Sequence, residues 1–118
     1  MARFGIAALL LGLAGLPSFA RAETILFVGN SFTAGAGSVV ERFRPGTVTD
    51  LNGDGTGGIP ALFKSFAGQS GLAWDVHLEV AGGMNLDYHH DEKAAIIARP
   101  WDQVVLQGYS TLDPDAPG

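Results

Sequence analysis

The continuous apolar run from Thr24 to Val28, which ends at Gly29, constrains the fold more than any other stretch of the sequence. A strand that is apolar on both faces must be covered on both faces, as the strands of parallel sheets are. The 118 residues allow at most one small domain. Because 47% of them are hydrophobic and 16% are charged, we expect a globular chain rather than a disordered one.

The remaining pattern alternates helices with strands. A helix beginning at Ser31 and extending as far as Phe43 is weakened by its glycines, and a loop covers 44–58. Beyond them the sequence predicts a helix over 60–69, a strand over 72–80, a helix over 85–98 and a strand within 102–108. The order strand, helix, strand, helix, strand predicts βαβ units and a parallel sheet of about three strands.

Three short segments follow the predicted strands: Gly29–Ser31, Ala81–Gly83 and Gln107–Ser110. Residues just beyond the carboxyl ends of parallel strands collect at one edge of the sheet, where ligands bind. Ser31 at such a turn is either a helix N-cap or an exposed nucleophile beside backbone N–H groups that could hold an oxyanion. The local pattern alone leaves both interpretations open.

The first 22 residues have the pattern of a secretory signal peptide. Arg3 precedes an apolar run from Phe4 to Leu16, and Ala20-Arg21-Ala22 resembles a cleavage site. The apolar run is shorter than a helix that crosses a membrane requires, so we expect a secreted or periplasmic protein with no stable membrane anchor after cleavage. The full chain has a formal charge of −5, and removal of Arg3 and Arg21 leaves five basic and twelve acidic residues, a charge of −7.

An acidic chain lacks the basic surface that nucleic acids require, so we expect no nucleic-acid partner. The absence of cysteine excludes a disulfide framework, a thiolate metal site and a cysteine nucleophile.

Three segments, in order, resemble conserved blocks of the SGNH or GDSL-type hydrolases. ILFVGNSFTAG (25–35) is similar to the first block, EVAGGMNLDYHH (79–90) to the second, and WDQVVLQGYS (101–110) to the strand that leads to the third. The resemblance implies that residues 23–118 belong to one three-layer α/β/α parallel-sheet domain of flavodoxin-like type, incomplete at the C-terminus. It also implies a serine esterase that hydrolyses carboxylic esters, of small molecules or of acyl groups on carbohydrate, without a cofactor.

The resemblance also implies roles for individual residues. Ser31 would be the nucleophile and an oxyanion N–H donor, and Gly82 or Gly83 would supply a second donor. Gln107 could replace the family's asparagine as a third donor. Asn30 and His89 would line the substrate.

The family's Asp-x-x-His block, which carries the general base, is missing. Asp87 to His90 spells the same pattern, but it lies before the third strand. Since a serine hydroxyl without a base is a weak nucleophile, we expect this N-terminal part to be inactive alone.

Two alternatives remain open from the sequence. A noncatalytic secreted module could bind a carbohydrate or an anion at the same strand ends. The segment Asp50 to Ala61 begins like a calcium loop, with Asp50, Asn52 and Asp54 at alternate positions, but it also reads as a flexible turn.

We further expect residues 23–118 alone to be poorly stable or to aggregate, because a small parallel sheet with an unpaired edge is marginal.

Overall fold

The computed structural model describes residues 21–109 and Asp115. The predicted signal segment up to residue 20, and Ser110, lie outside the described residues. The strands are β1 (Glu23–Gly29), β2 (Thr49–Asp50), β3 (Trp74–Val80) and β4 (Gln103–Leu106). The helices are α1 (Ser31–Ala34), α2 (Gly58–Gln69), α3 (Leu86–Glu92) and α4 (Ala94–Ile97), with one 3₁₀ turn at Pro45–Thr47.

The four strands form one parallel sheet in the order β2-β3-β1-β4. The prediction of a parallel α/β sheet is therefore confirmed. β1 pairs with β3 from Glu23 opposite Trp74 to Gly29 opposite Val80, and with β4 from Ile25 opposite Gln103. This register places the carboxyl ends of β1 and β3 side by side, and the chain segments that follow them meet there.

The two faces of β1 contact different helices. Ile25 and Phe27 join Val76 and Leu78 of β3 in the hydrophobic core. The Phe63 ring of α2 packs on this face, with its centroid 5.5 Å from that of Phe27. Val28, which points the other way, borders a groove whose walls include residues of α3 and α4. Burial of a central strand on both faces is what the apolar run of β1 requires.

Three element predictions are wrong in detail. The helix after β1 ends at Ala34, because Gly35 adopts a left-handed conformation (φ 67°) and its N–H bonds back to Phe32 O and Ser31 O. The predicted 44–58 loop contains β2, so the sheet has four strands rather than three. The helix expected over 85–98 is interrupted at Lys93, whose φ of −124° is not helical.

Strand β4 lies at the edge of the sheet and is exposed along its whole length. Its Val104, Val105 and Leu106 are 40%, 40% and 56% exposed. Among the described residues β4 pairs only with β1, and its apolar outer edge is the feature on which the expected association depends. In the part of the chain described, no helix has the length and apolar character needed to cross a membrane.

Asp102 joins the beginning of β4 to the beginning of β1. Its Oδ2 accepts hydrogen bonds from the Thr24 backbone N–H at 2.7 Å and from Thr24 Oγ1 at 3.0 Å. Arg21 Nη2 donates to both carboxylate oxygens, at 3.0 and 3.1 Å. The pKa of Asp102 is therefore lower than its ordinary 3.8. The hydrogen bond from the Thr24 backbone lowers it most, followed by the bond from the Thr24 hydroxyl and by the Arg21 guanidinium.

In the uncleaved chain, which retains Arg21, the Asp102→Asn variant is expected to be less stable than the wild type at pH 7. Because the folded pKa is below the unfolded one, the ionised carboxylate stabilises the fold above about pH 4. That contribution is lost as the pH falls through the folded pKa, so the difference in stability between the two proteins should be smaller at about pH 3 than at pH 7. Urea unfolding at both pH values measures the difference. Glu92→Gln, an equal charge change at an exposed position, is the control, and an unchanged stability gap at low pH would contradict the prediction.

Candidate active site

The turn after β1 lies against the segment that follows β3. The Ala81 N–H donates to Gly29 O at 3.0 Å, which continues the strand pairing by one residue. Ser31 begins α1 and is half-buried. Within residues 21–109, the Ser31 hydroxyl has no hydrogen-bond partner. The sequence expectation that the turn presents this side chain at the strand's carboxyl end agrees with its position.

Asn30 holds this turn in place and is only 3% exposed. Its Oδ1 accepts from the Phe32 N–H at 3.1 Å and so caps α1. Its Nδ2 donates to Met84 O at 3.1 Å and to Gly108 O at 3.4 Å. One amide thus ties together the segments that follow β1, β3 and β4. The helix-cap role, one of the two interpretations of Ser31, belongs instead to Asn30, and the Ser31 side chain is left without a capping bond.

A cavity of about 360 Å³ opens beside Ser31. Its wall includes Ser31 and Asn30, and Gly82 from the segment after β3. The remaining wall combines polar loop residues (Glu41, Arg42, Asp54 and Thr56) with the apolar side chains of Ala34, Ala36 and Val80. No histidine is among the described residues that line this cavity.

Of the two glycines predicted as oxyanion donors, Gly82 borders the cavity beside Ser31. Gly83 has a left-handed φ of 72°, and its carbonyl accepts a long bond of 3.4 Å from the Tyr109 hydroxyl. The geometry favours Gly82 as the residue whose backbone faces the same space as Ser31.

Gln107 is oriented differently from the predicted third donor. Its Oε1 accepts from the Asn30 backbone N–H at 3.0 Å and from Thr33 Oγ1 at 2.8 Å. Its Nε2 donates to Gly108 O. Gln107 is not among the residues that line the cavity, and the two bonds to its Oε1 place its amide in support of the turn.

His89 lies behind the turn and is 1% exposed. Its Nε2 donates to Gly29 O at 2.9 Å, since a carbonyl oxygen can only accept. It is not among the residues that line the Ser31 cavity, so the structure does not support a substrate-lining position. His90 is exposed, pairs with Asp91 at 2.8 Å and borders the groove near β4 instead.

The loop that resembles a calcium site is organised by its own backbone. Asp50 Oδ1 accepts from the Asn52 N–H at 2.9 Å, and Oδ2 accepts from the N–H groups of Asp54 and Thr56 at 3.0 Å each. Asn52 turns away from Asp54 and donates to Glu79. Among the described residues, no group of three or more acidic, histidine or cysteine side chains is placed to hold a metal ion. The geometry supports the turn interpretation.

Sequence reasoning missed two features of the site. Arg42 Nη1 donates to Asp54 O at 2.6 Å and to Gly55 O at 2.9 Å, and so fixes the loop that forms one cavity wall. Glu79 is one of three polar residues that alternate with apolar ones along β3, yet it is fully buried. The alternation of polar and apolar residues along β3 could have drawn attention to Glu79. No local sequence pattern links Arg42 to the loop 12 residues later whose carbonyls it binds.

Comparison with known proteins adds no assignment. No protein-family model, no curated protein and no solved structure matches this chain.

Proposed function

We propose that the cavity beside Ser31 is the acyl-transfer site of a serine esterase that hydrolyses carboxylic esters. The observation that carries the proposal is the Ser31 side chain, unbonded within residues 21–109, on a turn that Asn30 fixes at the border of a polar cavity. The sequence resemblance to SGNH-type hydrolases supports the same role for this serine.

The proposed fold is the three-layer α/β/α arrangement of that class. Phe27 contacts Phe63 of α2, while Val28 borders the groove beside α3. Consecutive strand residues point to opposite faces of a sheet, which favours helices on both sides of this one.

In the proposed reaction, Ser31 Oγ attacks the ester carbonyl and forms a tetrahedral oxyanion. The backbone N–H groups of Ser31 and Gly82 would donate to that oxygen, and collapse of the adduct would expel the alcohol and leave an acyl-serine for water to hydrolyse. The hydroxyl proton must pass to a base. Since no histidine is among the described residues lining the cavity, we expect these residues alone to be inactive in turnover.

The wall of the cavity favours a hydroxyl-rich substrate. Charged and hydroxyl groups enter the wall from Glu41, Arg42, Asp54 and Thr56, while the apolar part of the lining is limited to Ala34, Ala36 and Val80. Esters on carbohydrate fit this lining, because sugar hydroxyls can exchange hydrogen bonds with both carboxylates and guanidinium groups. We propose export by the N-terminal signal segment, which would place the enzyme among extracellular or periplasmic carbohydrates.

Covalent labelling tests the serine independently of turnover. A fluorophosphonate in large excess, incubated long enough to reveal a weak nucleophile, should add one phosphonyl group to the wild-type protein, and Ser31→Ala should reduce the labelling at least tenfold, as measured by intact mass. Ser38→Ala, which removes an exposed serine in the loop after α1, should label like the wild type. A wild type that resists the reagent, or a Ser31→Ala protein that labels equally, would contradict the proposal.

The alternative is a noncatalytic module that binds carbohydrate in the same cavity. The charged and hydroxyl groups that Glu41, Arg42, Asp54 and Thr56 bring to the wall favour it over other binding functions. This alternative predicts no phosphonate adduct and glycan binding that Ser31→Ala leaves intact, whereas Arg42→Ala weakens it by disturbing the loop.

A further inference from the structure

A buried polar cluster lies directly behind the Ser31 turn, and neither the fold nor the proposed reaction accounts for it. The cluster consists of Glu79, His89, Lys93 and Asn52. The side chains of Glu79 and His89 are 0% and 1% exposed. His89 Nδ1 is 3.9 Å from Glu79 Oε1, and Lys93 Nζ is 3.7 Å from the same oxygen.

The hydrogen-bond geometry places one hydrogen on His89 and leaves its second ring nitrogen beside the Glu79 carboxylate. His89 Nε2 carries a hydrogen, because it faces Gly29 O at 2.9 Å. Its Nδ1 then faces a carboxylate oxygen, and within the described structure neither atom has a hydrogen-bond partner. Two lone pairs facing each other away from water would repel, and desolvation makes that arrangement costly. A proton on Nδ1 turns the repulsion into attraction between an imidazolium and a carboxylate.

The same carboxylate reaches the loop on the other side of the cavity. Glu79 Oε2 accepts from Asn52 Nδ2 at 3.0 Å, and Asn52 Oδ1 accepts from the Val80 N–H at 2.9 Å. Asn52 precedes Asp54 and Thr56, which line the cavity beside Ser31. Glu79 therefore connects the loop wall of the cavity, through His89, to the last carbonyl of β1.

We propose that Glu79 and His89 form a buried ion pair, with the imidazole protonated on both nitrogens, that positions the turn presenting Ser31. His89 holds the Gly29 carbonyl one residue before Asn30, and Glu79 keeps His89 charged and oriented. Lys93 balances part of the carboxylate charge from the partly exposed side. Both are positioning residues, and their importance for ester hydrolysis rests on the proposed function.

Nitrogen NMR of the full-length protein labelled with ¹⁵N-histidine reads the proton positions directly. Both His89 nitrogens should show protonated shifts at pH 7 in the wild type. In Glu79→Gln, a near-isosteric change whose amide oxygen can still accept from Asn52, one His89 nitrogen should become unprotonated. The backbone N–H signals of Asn30 and Ser31 should shift in the same variant.

Asp75→Asn is the matched control, because Asp75 pairs with His77 at 3.0 Å on the same strand. It should change the His77 signals and leave those of His89 and Ser31 unchanged. A neutral His89 in the wild type would overturn the proposal, and this measurement decides the question even if Glu79→Gln fails to fold. Unchanged Asn30 and Ser31 signals in a folded Glu79→Gln protein would also overturn it.

Labelling separates this inference from the proposed function. If the wild type reacts with the fluorophosphonate, Glu79→Gln should slow the reaction about tenfold, since small misplacements of a nucleophile reduce rates strongly. His89→Gln, whose amide can still donate to Gly29 O, should restore part of the rate that His89→Leu loses. An unreactive wild type would contradict the esterase proposal and leave the NMR result on the ion pair standing.

Discussion

Replacing Gly57 with alanine is expected to destabilise the protein by about 3 kcal/mol or more. A Cβ at this position would overlap the Phe43 carbonyl oxygen and lie 2.8 Å from its carbon. The Gly57 N–H also donates to Glu41 O at 2.9 Å, and Gly58 donates to Val40 O at 3.1 Å. Because both neighbours are backbone, no side-chain rotation relieves the overlap. Urea unfolding followed by circular dichroism measures the loss.

Gly68→Ala is the control for this substitution and should act in the opposite direction. Gly68 lies in α2, is exposed, and a Cβ there would meet no atom within 4 Å. Alanine in a helix is favoured over glycine, so this variant should gain about 0.5 kcal/mol. A Gly57→Ala protein as stable as Gly68→Ala would show that the loop between α1 and α2 does not pack as described. The same loop supplies Arg42 and Glu41 to the cavity, so the test also bears on the site.

Replacing Val105 with lysine is expected to suppress self-association of residues 23–118. Val105 lies on the exposed edge strand β4, which pairs only with β1 in the part of the chain described. Unpaired edges with apolar side chains recruit strands from other molecules, and an edge lysine prevents this because pairing would desolvate its charge. At about 100 µM we expect the wild type to sediment as oligomers and the variant to be predominantly monomeric.

Val39→Lys provides the matched comparison, because Val39 is 91% exposed and lies in the loop after α1 rather than at the sheet edge. It makes the same chemical change and adds the same charge. It should associate like the wild type. If both variants suppress self-association equally, the effect is due to net charge and not to the sheet edge. A monomeric wild type that melts cooperatively would contradict the expectation that the sheet is marginally stable and prone to associate.

The sequence by itself determined the parallel sheet and the position of Ser31. The apolar run of β1 allows little except a strand buried on both faces, and the helix-strand alternation fixes a parallel arrangement. The carboxyl ends of the strands then had to meet at one edge of the sheet. Local chemistry was sufficient for these predictions, because strand period, turn residues and helix caps depend on residues close together in the chain. The two-residue β2 and the interruption at Lys93 are too short to leave such a signal.

Only the tertiary structure determined the role of each polar side chain around Ser31. Gln107 is bonded to Asn30 and Thr33, 77 and 74 residues earlier, so its amide supports the turn instead of facing the cavity. Glu79 appears as one polar residue in an alternating strand, yet it is buried against Asn52, His89 and Lys93. Partners this distant are selected by packing and by the need to satisfy buried polar atoms, and neither condition can be evaluated until the whole chain is folded.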